Sequence, residues 1–507
     1  MGQTGNSFGY YPAGQQVYGP LGTTNSYGPS GKGDGDIFMM AVDIDAGKAW
    51  WGVNGTWNSS GDPAAGTNSV AITAGLMYAF SVGHATDGGN WVDYVVNYGA
   101  DSSFANNKTS GSAAAQDGND KGDFYYEPPS GFLALCTDNL STPEIKLPGE
   151  YMDTALFTGT GLELEVSSLS FQPDFTWIKT RQLAYNHRVF DVARGVTKEL
   201  YTNDSDTEVT DAQSLKSFDS DGFTLGTSSG VNPSSSSNMV SWNWKAGGAP
   251  TATNSGGQTP TSGSVMIDGS ASTASLASAD IYPEKMSINT TSGFSIISYE
   301  GNGSSSQTIP HGLSTAPALI ISKGYSTGAD YNWRVFGENI GLTSANYSIR
   351  LDLNNDENDN SNVFGTYPTS SVWTIGSDAG VNDSGKDYIV YCFSNIEGYS
   401  KILSFTGNNN ADGPFLYTGF KPAVVIGKCV GASGGWAIID SARNTYNVAG
   451  TSLYPNTNDT EETSTTVGLD FLSNGIKVRS TSGSWNQSDT MLAIAFAESP
   501  FKYSNAR

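Results

Sequence analysis

After Gly149 the sequence repeats one order of landmarks three times, and this repetition limits the possible folds more than any other feature. Each copy has an aromatic-x-Gly box, a proline, an apolar strand ending in lysine, an acidic loop and a closing strand. The boxes begin at Phe157, Tyr299 and Phe405, and the lysines are Lys179, Lys323 and Lys428. Because copies of roughly 90–105 residues are far longer than the coils of a solenoid, the period indicates tandem domains.

The segments between these landmarks read as strands. They are short, rich in Val, Ile, Phe, Tyr and Trp, and bounded by Gly, Asn, Asp and Pro, which is typical of β-structure. In "MVSWNWKA", Val240, Trp242 and Trp244 lie at alternate positions and therefore share one face of a strand. The sequence predicts an all-β fold of tandem antiparallel β-sandwich or jelly-roll-like modules.

The landmarks also predict the domain organisation. The segment rich in Gly, Ser and Thr is expected to be a flexible linker, and the short junction between the last two repeats predicts that these two pack as a pair. The predicted segments are a partial β-sandwich (1–130), repeat 1 (131–248), the linker (249–285), repeat 2 (286–398) and repeat 3 (399–507).

The aromatic-x-Gly box resembles the start of a phosphate-binding loop. Such a loop requires a following helix, commonly with the pattern GxxxxGK[ST], whereas "YEGNG" at Tyr299–Gly303 leads toward another strand. We interpret the glycines as strand-end turns that need positive φ. A further shared turn carries Asn232, Asn382 and Asn486.

Composition excludes several classes of partner. With 25 basic and 49 acidic residues the net charge is -24, which argues against nucleic acid and against anionic membranes, because both attract basic surfaces. There is no apolar run of about 18 residues, so no membrane-inserted helix is predicted. The odd cysteine count implies no disulfide framework, and Cys136, Cys392 and Cys429 are expected to be small buried residues.

Histidines are few, which argues against imidazole chemistry. His84, His187 and His311 lie far apart in the sequence, so we expect neither a histidine metal site nor a catalytic triad. The lysine at the end of each apolar strand has two interpretations: it binds an anionic ligand, or it protects a strand edge or pairs locally. The second interpretation is favoured.

An Asp-x-x-Arg pair recurs in repeats 1 and 3, as Asp191/Arg194 and Asp440/Arg443. The favoured interpretation is an ion pair that caps a turn. The alternative is contact with a ligand or a neighbouring subunit, so these four residues are candidate ligand-binding residues.

The acidic loops raise the question of calcium. In "DLNNDENDNSN" oxygen-bearing side chains alternate at Asp352, Asn354 and Asp356, as they do at the start of a calcium loop. The EF-hand pattern then fails, because Glu357 replaces its glycine and Val363 its closing glutamate. A solvated loop is favoured, no cofactor is predicted, and calcium is the ion that the three residues suit best.

Two other features bear on sugars. Glu163 and Glu165 share a strand face, as paired carboxylates do in glycosidases, but the equivalent stretches of the other repeats lack the pair. No enzymatic activity is predicted. Among the tryptophans considered for sugar stacking (Trp50, Trp51, Trp57, Trp436 and Trp485), Trp57 is the best candidate, because it lies in the loop "NGTWNSSGDP".

The N-terminal region carries a different pattern. In "DIFMMAVDIDAGKAWWGVNGTW" a strand (Ile37–Val42) meets the turn at Asp45–Gly47, and a second strand (Lys48–Val53) meets the turn Asn54-Gly55. Asn-Gly between apolar strands predicts a hairpin. With the later "VVNYGADSSF", residues 8–104 resemble the second half of a SPRY domain, which implies a partial concanavalin-like β-sandwich.

Residues 131–507 resemble a family of phage virion proteins of undetermined function. The similarity lies in "GFLALCTDNLSTPEI", "WNWKAGG" and the terminal "AFAESPFKYSNAR". It implies a non-enzymatic tail-fibre or structural protein on the virion surface, with other virion proteins and a host cell-surface glycan as partners. Tail fibres are commonly trimers, so a homo-oligomer is expected by analogy.

Two alternatives stay open for the function. A capsid-decorating protein without a ligand requires a broad surface facing the capsid. A polysaccharide-degrading fibre enzyme requires carboxylates that converge in one cleft.

Overall fold

The computed structural model describes residues 8–11, 16–19, 22–24, 26–28, 33–76, 78, 80, 94–109, 115–234, 236–464, 467–481 and 483–505. His84 lies outside these residues. The chain divides into two compact bodies, Met1–Ser141 and Thr142–Arg507, so the boundary falls after residue 141 and not at the predicted 130. No helix among the described residues is long and apolar enough to cross a membrane.

The N-terminal body confirms the predicted hairpin. Asn54 and Gly55 have φ of 50° and 83°, the positive values of a two-residue turn that matches strand twist. Trp51, Val17 and Ala49 lie in its small apolar core. Short 3-10 turns occupy Asn58–Ser60 and Thr137–Asn139. The strands are β1 (Gly9–Tyr11), β2 (Gln16–Gly19), β3 (Gly22–Thr24), β4 (Phe38–Asp43), β5 (Lys48–Val53), β6 (Thr56–Trp57) and β7 (Val70–Ala71).

Repeat 1 forms two facing sheets, ordered β13-β12-β11-β10-β16-β8 and β14-β15-β9. A 3-10 turn at Pro148–Glu150 precedes them. The strands are β8 (Met152–Thr158), β9 (Leu164–Val166), β10 (Phe175–Thr180), β11 (Arg188–Asp191), β12 (Lys198–Tyr201), β13 (Val209–Thr210), β14 (Leu215–Asp219), β15 (Gly222–Leu225) and β16 (Asn238–Trp244).

Repeat 2 has a larger sheet, because two strands from the predicted linker join it. The order is β18-β17-β19-β20-β27-β22-β23-β24-β25, opposed by the pair β21-β26. The elements are β17 (Val265–Ile267), β18 (Ser270–Ala271), β19 (Lys285–Asn289), β20 (Phe294–Glu300), β21 (Gln307–Pro310), β22 (Leu319–Gly324), β23 (Arg334–Phe336), β24 (Tyr347–Arg350), β25 (Asn358–Asp359), β26 (Val372–Ile375), α1 (Ala379–Asn382) and β27 (Asp387–Phe393).

Repeat 3 returns to the pattern of repeat 1, with sheets β28-β36-β30-β31 and β29-β35-β34 and the small pair β32-β33. A 3-10 turn at Phe501–Tyr503 follows. The elements are β28 (Ser400–Thr406), β29 (Phe415–Tyr417), β30 (Phe420–Cys429), β31 (Trp436–Asp440), β32 (Thr451–Ser452), β33 (Glu462–Thr463), β34 (Leu469–Leu472), β35 (Gly475–Val478), α2 (Gly483–Asn486) and β36 (Thr490–Pro500). The protein is all-β, as predicted, and its sheets are largely antiparallel.

The predicted flexible linker is structured. Strand β17 pairs in parallel with β19, and Val265 is buried. The side chain of Asn254 donates hydrogen bonds to the carbonyls of Gly257 and Pro283. A composition rich in Gly, Ser and Thr suggests flexibility, but here the segment pairs with a strand that lies beyond it in the sequence.

The large sheet of repeat 1 is buried on both faces, which explains its nearly continuous apolar strands. On β10, Ile178 packs with Phe190 in the core between the two sheets. Trp177, one position earlier, points to the other face and joins a core that contains residues of all three repeats. The predicted common face of Val240, Trp242 and Trp244 is confirmed, since all three belong to this shared core.

The three repeats meet through one equivalent residue of each closing strand. Trp244, Phe393 and Phe496 contact one another in pairs, with ring centroids 5.4 to 6.2 Å apart and interplanar angles of 63° to 72°, the edge-to-face geometry that aromatic rings prefer. The three repeats therefore pack together, where the sequence predicted only a pairing of repeats 2 and 3.

Candidate functional site

A buried asparagine holds the aromatic-x-Gly box of each repeat. In repeat 2, Asn382 Oδ1 accepts the backbone N–H groups of Asn302 and Gly303, at 2.8 and 3.3 Å, and its Nδ2 donates to Ser304 and Gly376. Asn232 and Asn486 make the equivalent contacts in repeats 1 and 3. The box N–H groups that would bind a phosphate are thus occupied, which supports the structural interpretation of the box.

The box has two glycine positions, and each favours glycine for a different reason. A Cβ added at the first position would lie 2.5 Å or less from the carbonyl oxygen of the residue after the asparagine, so this glycine is required by close approach. That position holds Gly159, Gly301 and Gly407. Positive φ, the reason predicted from the sequence, applies two residues later, at Gly161 (68°), Gly303 (71°) and Asn409 (52°).

Each landmark lysine is fully buried and donates to the acidic loop of another repeat. Lys179 Nζ lies 3.4 Å from the Asn458 carbonyl, Lys323 Nζ 2.7 Å from that of Ser205, and Lys428 Nζ 2.8 Å from that of Asn355. Burial lowers the pKa of each lysine to about 8. The side chains are inside the protein, so they neither protect an edge nor bind an external anion. Each lysine also donates to a nearby carbonyl of its own repeat (Leu183, Tyr331 and Gly434), which agrees with the predicted local pairing.

These contacts run in one direction: repeat 1 donates to repeat 3, repeat 2 to repeat 1, and repeat 3 to repeat 2. A backbone hydrogen bond beside each lysine joins the same pairs of repeats, with the acidic loop as the donor. Its three forms are Glu461 N to Arg181 O at 2.7 Å, Glu208 N to Tyr325 O at 3.0 Å and Glu357 N to Val430 O at 3.0 Å. The repeats therefore form a closed cyclic arrangement with three related interfaces.

The Asp-x-x-Arg pairs lie inside two of these interfaces. Asp191 and Arg194 are joined at 2.6 Å with both side chains fully buried, and Asp440 and Arg443 are joined at the same distance and burial. The favoured interpretation as turn-capping ion pairs agrees with this geometry, since each aspartate also accepts the arginine's own backbone N–H. Side chains without exposed surface cannot contact an external ligand, so the burial of these four residues argues against their candidate role in ligand binding.

A donor from the neighbouring repeat completes each buried pair. Tyr391 Oη donates to Asp191 at 2.8 Å, and Trp242 Nε1 donates to Asp440 at 3.1 Å. Burial raises the pKa of Tyr391 well above its ordinary value, and the charge of Asp191 raises it further. Burial alone would lower the pKa of Arg194, but the charges of Asp191 and its other neighbours, together with the hydrogen bond to Asp191, raise it, so the pKa lies above its ordinary value.

The interface between repeats 2 and 3 has neither the Asp-Arg pair nor the donor from the neighbouring repeat. Gly337 and Ile340 stand in repeat 2 where the other repeats have aspartate and arginine, and Ile494 of repeat 3 stands where the donors Tyr391 and Trp242 do. Donor, acceptor and arginine are thus absent together, and no charge is left buried without a partner at these positions.

The three residues predicted for calcium have different surroundings. Asp352 is 5% exposed and bonds to Asn332, while Asp356 is exposed. Asn354 uses its backbone carbonyl to accept from Lys428 and Gly434. Strand pairing gives the position of Asp352 in the fold. Arg334 pairs with Arg350 in repeat 2, and the equivalent Arg188 pairs with Tyr201 in repeat 1, so position 352 corresponds to position 203. Asp352 is therefore the counterpart of Asn203, whose side chain accepts the backbone N–H of His187.

A different group of carboxylates does converge in the described part of the chain. Glu284, Glu300 and Asp387 have oxygens within 4.8 Å of one another. Glu300 pairs with Asp387 across neighbouring strands, and Glu284 lies directly before β19. Burial and the neighbouring carboxylates raise the pKa of Glu284 and Asp387. Carboxylate oxygens are the ligands that a hard cation such as Ca²⁺ takes. Sequence reasoning missed this group because its members lie up to about a hundred positions apart and match no motif.

The candidates for sugar chemistry separate into buried and exposed residues. Trp57 is half-buried at the end of β6 in the N-terminal body, while Glu163 and Glu165 are exposed and Glu163 pairs with Lys216. The other four tryptophans considered (Trp50, Trp51, Trp436 and Trp485) are buried. Among the cysteines, Cys392 and Cys429 are buried as predicted, whereas Cys136 is exposed.

Comparison with known proteins identifies the family. The family model described as "Domain of unknown function (DUF7483)" matches residues 147–277 and again residues 268–500. Both matches take in part of segment 249–285, in agreement with its place in the sheet of repeat 2. No curated protein and no solved structure is significantly similar to the chain. Since the two matches cover more than two thirds of the sequence, the chain belongs to the DUF7483 family.

Proposed function

We propose that the chain is a non-enzymatic structural protein of a phage particle, of the tail-fibre or surface-fibre type, with a host-surface glycan as its ligand. The observation that supports it best is the use of the repeated charged residues. Lysines, Asp-Arg pairs and acidic loops serve contacts between repeats, and a preformed body of this kind suits display on a particle exterior.

The glycan role is tested by an array screen of the full chain, with and without calcium, that records both binding and released oligosaccharide. We expect binding without release. Release would overturn the non-enzymatic role and favour the polysaccharide-degrading alternative, for which the carboxylates Glu284, Glu300 and Asp387 are the residues to replace.

The particle role has a separate test. Immunogold microscopy of purified phage particles with an antibody against this chain is expected to label the particle exterior. Labelling of infected cells without labelling of particles would contradict the proposal. Labelled particles combined with a chain that binds no glycan would favour the capsid-decorating alternative. The homotrimer expected by analogy with tail fibres stays a prediction, to be checked by the molar mass in solution.

A further inference from the structure

The outer face of the three-stranded sheet in repeat 3 carries two exposed aromatic side chains. Phe415 and Tyr417 on β29 are 41% and 43% exposed, while Leu416 between them is buried. We call Phe415 and Tyr417 the aromatic platform. Alternation along a strand places one face on the core and one in water, and the water-facing positions of this strand hold rings where polar residues are the rule.

Neither ring stands upright on the sheet. A Cβ added at Gly475, on the neighbouring strand, would lie 3.0 Å from Cε2 and Cζ of Phe415, and one added at Gly419 would lie 3.7 Å from the hydroxyl of Tyr417. Strand side chains normally stand roughly perpendicular to the sheet. Here each ring leans over a glycine, and about two fifths of each residue's surface stays exposed.

The fold does not require aromatic residues at this place. Strand pairing makes Phe415 the counterpart of Glu165 in repeat 1 and Thr308 in repeat 2, because each faces the outward position of the next strand. Both counterparts are polar. The aromatic platform is therefore a property of repeat 3 alone and not of the shared sandwich.

A polar border lies next to the platform. On the neighbouring strand Lys477 pairs with Asp412 at 2.7 Å, and Arg479 pairs with Asp470 at 2.7 Å. Lys477 lies directly opposite Phe415. The border thus offers hydrogen-bond donors and acceptors side by side, and its fixed charges cancel.

We propose that the aromatic platform and its polar border bind a neutral glycan chain. The C–H bonds on one face of a pyranose are electropositive and pack on the negative face of an aromatic ring, and sugar hydroxyls both donate and accept hydrogen bonds, as the mixed border requires. The net charge of -24 disfavours acidic glycans. The inference rests on the glycan-binding part of the proposed function and gives it a location.

The size of the platform also favours a sugar over a protein partner. With side chains of roughly 200 Å² each, the exposed fractions of 41% and 43% leave roughly 170 Å² of aromatic surface. A standard protein interface takes about 800 Å² from each partner. Two rings side by side suit a few pyranose units.

The test measures binding of the full chain to an array of neutral and acidic glycans. The double variant Phe415→Ala/Tyr417→Ala is expected to bind neutral glycans at least about tenfold more weakly, and Tyr417→Phe, which keeps the ring, is expected to bind nearly as wild type. The matched controls are Glu165→Ala and Thr308→Ala, which change the equivalent outward positions of the other repeats and are expected to leave binding unchanged.

The outcomes distinguish the location of the glycan site from the glycan-binding role itself. Equal binding by wild type and the double variant would overturn the location and leave the proposed function intact. Equal losses in the control variants would also overturn it. A wild-type chain that binds acidic glycans only would refute the neutral ligand, and one that binds no glycan would overturn both the location and the glycan role.

Discussion

Asp191 accepts four hydrogen bonds inside the interface between repeats 1 and 2. They come from the backbone of Ala193 and Arg194, at 3.0 and 2.9 Å, from Arg194 Nε at 2.6 Å and from Tyr391 Oη at 2.8 Å. The replacement Asp191→Gly removes all four acceptor contacts and leaves a fully buried guanidinium whose remaining carboxylate contact, with Glu208, is 3.4 Å long.

The expected loss is large because the remaining charge has no access to water. Removing one member of a buried ion pair costs about 3–5 kcal/mol, so the free energy of unfolding of Asp191→Gly should fall by about 4 kcal/mol. Tyr391→Phe removes one hydrogen bond to a charged group without opening a cavity and should cost about 1.5–3 kcal/mol.

The interface between repeats 2 and 3 supplies the matched comparison. Asp191→Gly/Arg194→Ile/Tyr391→Phe copies Gly337 and Ile340 of that interface and removes donor, acceptor and arginine together. Because replacing a whole buried ion pair by apolar residues is often nearly neutral, the triple variant should be more stable than Asp191→Gly alone, by about 2 kcal/mol or more.

The assay is guanidinium denaturation of the full chain followed by tryptophan fluorescence, with the midpoint and slope compared between variants. A loss below about 1 kcal/mol for Asp191→Gly would refute the reasoning from buried charge. A triple variant less stable than the single one would show that the interface depends on the shape of these side chains and not on their charge balance.

Three further perturbations follow from the structure. Asn382→Ala leaves several buried backbone groups without partners and should cost about 2–4 kcal/mol, whereas the exposed Asn302→Ala should cost under about 1 kcal/mol; equal losses in denaturation would contradict the anchoring role. Glu300→Gln relieves repulsion in the carboxylate group and should raise the melting temperature at pH 7 but not at pH 4; a lower melting temperature at pH 7 would contradict it. Burial lowers the pKa of His311 to about 4 and that of His187 well below 6.5, so the unfolded chain binds more protons below pH 6.5 and stability falls as pH drops from 6.5 toward 4, by about 1.4 kcal/mol per pH unit for each histidine; His311→Gln should reduce this slope, and an unchanged slope would refute the assignment.

Local features of the fold were predictable because their causes are local. The strands follow from composition and alternation, and the hairpin turn at Asn54-Gly55 follows from the positive φ that both residues tolerate. The shared asparagine of each repeat was visible as a landmark. Its role was not, since Asn382 contacts Asn302 and Gly303 some eighty positions earlier.

Contacts between repeats were beyond sequence reasoning for the same physical reason. Lys323 meets the carbonyl of Ser205, 118 positions away, and a lysine at a strand end gives no sign of whether water or another repeat lies beyond it. That Asp352 takes the place of Asn203 follows from strand pairing and could not be read from the sequence. Calcium binding by this loop stays a prediction. The aromatic platform was missed because "FLY" (Phe415–Tyr417) reads as core until the burial of each residue is known.

The joining of three repeats in one chain has a consequence for valency. Three separate copies of one repeat would carry three copies of every surface. Here the lysine contacts recur at all three interfaces, whereas the aromatic platform occurs once among the residues that the structure describes. Under the binding proposed above, a single molecule engages its glycan at this face monovalently. Firm attachment to a cell surface would then come from many molecules presented on one particle, where the effective concentration of the second and later binding events multiplies a weak individual affinity.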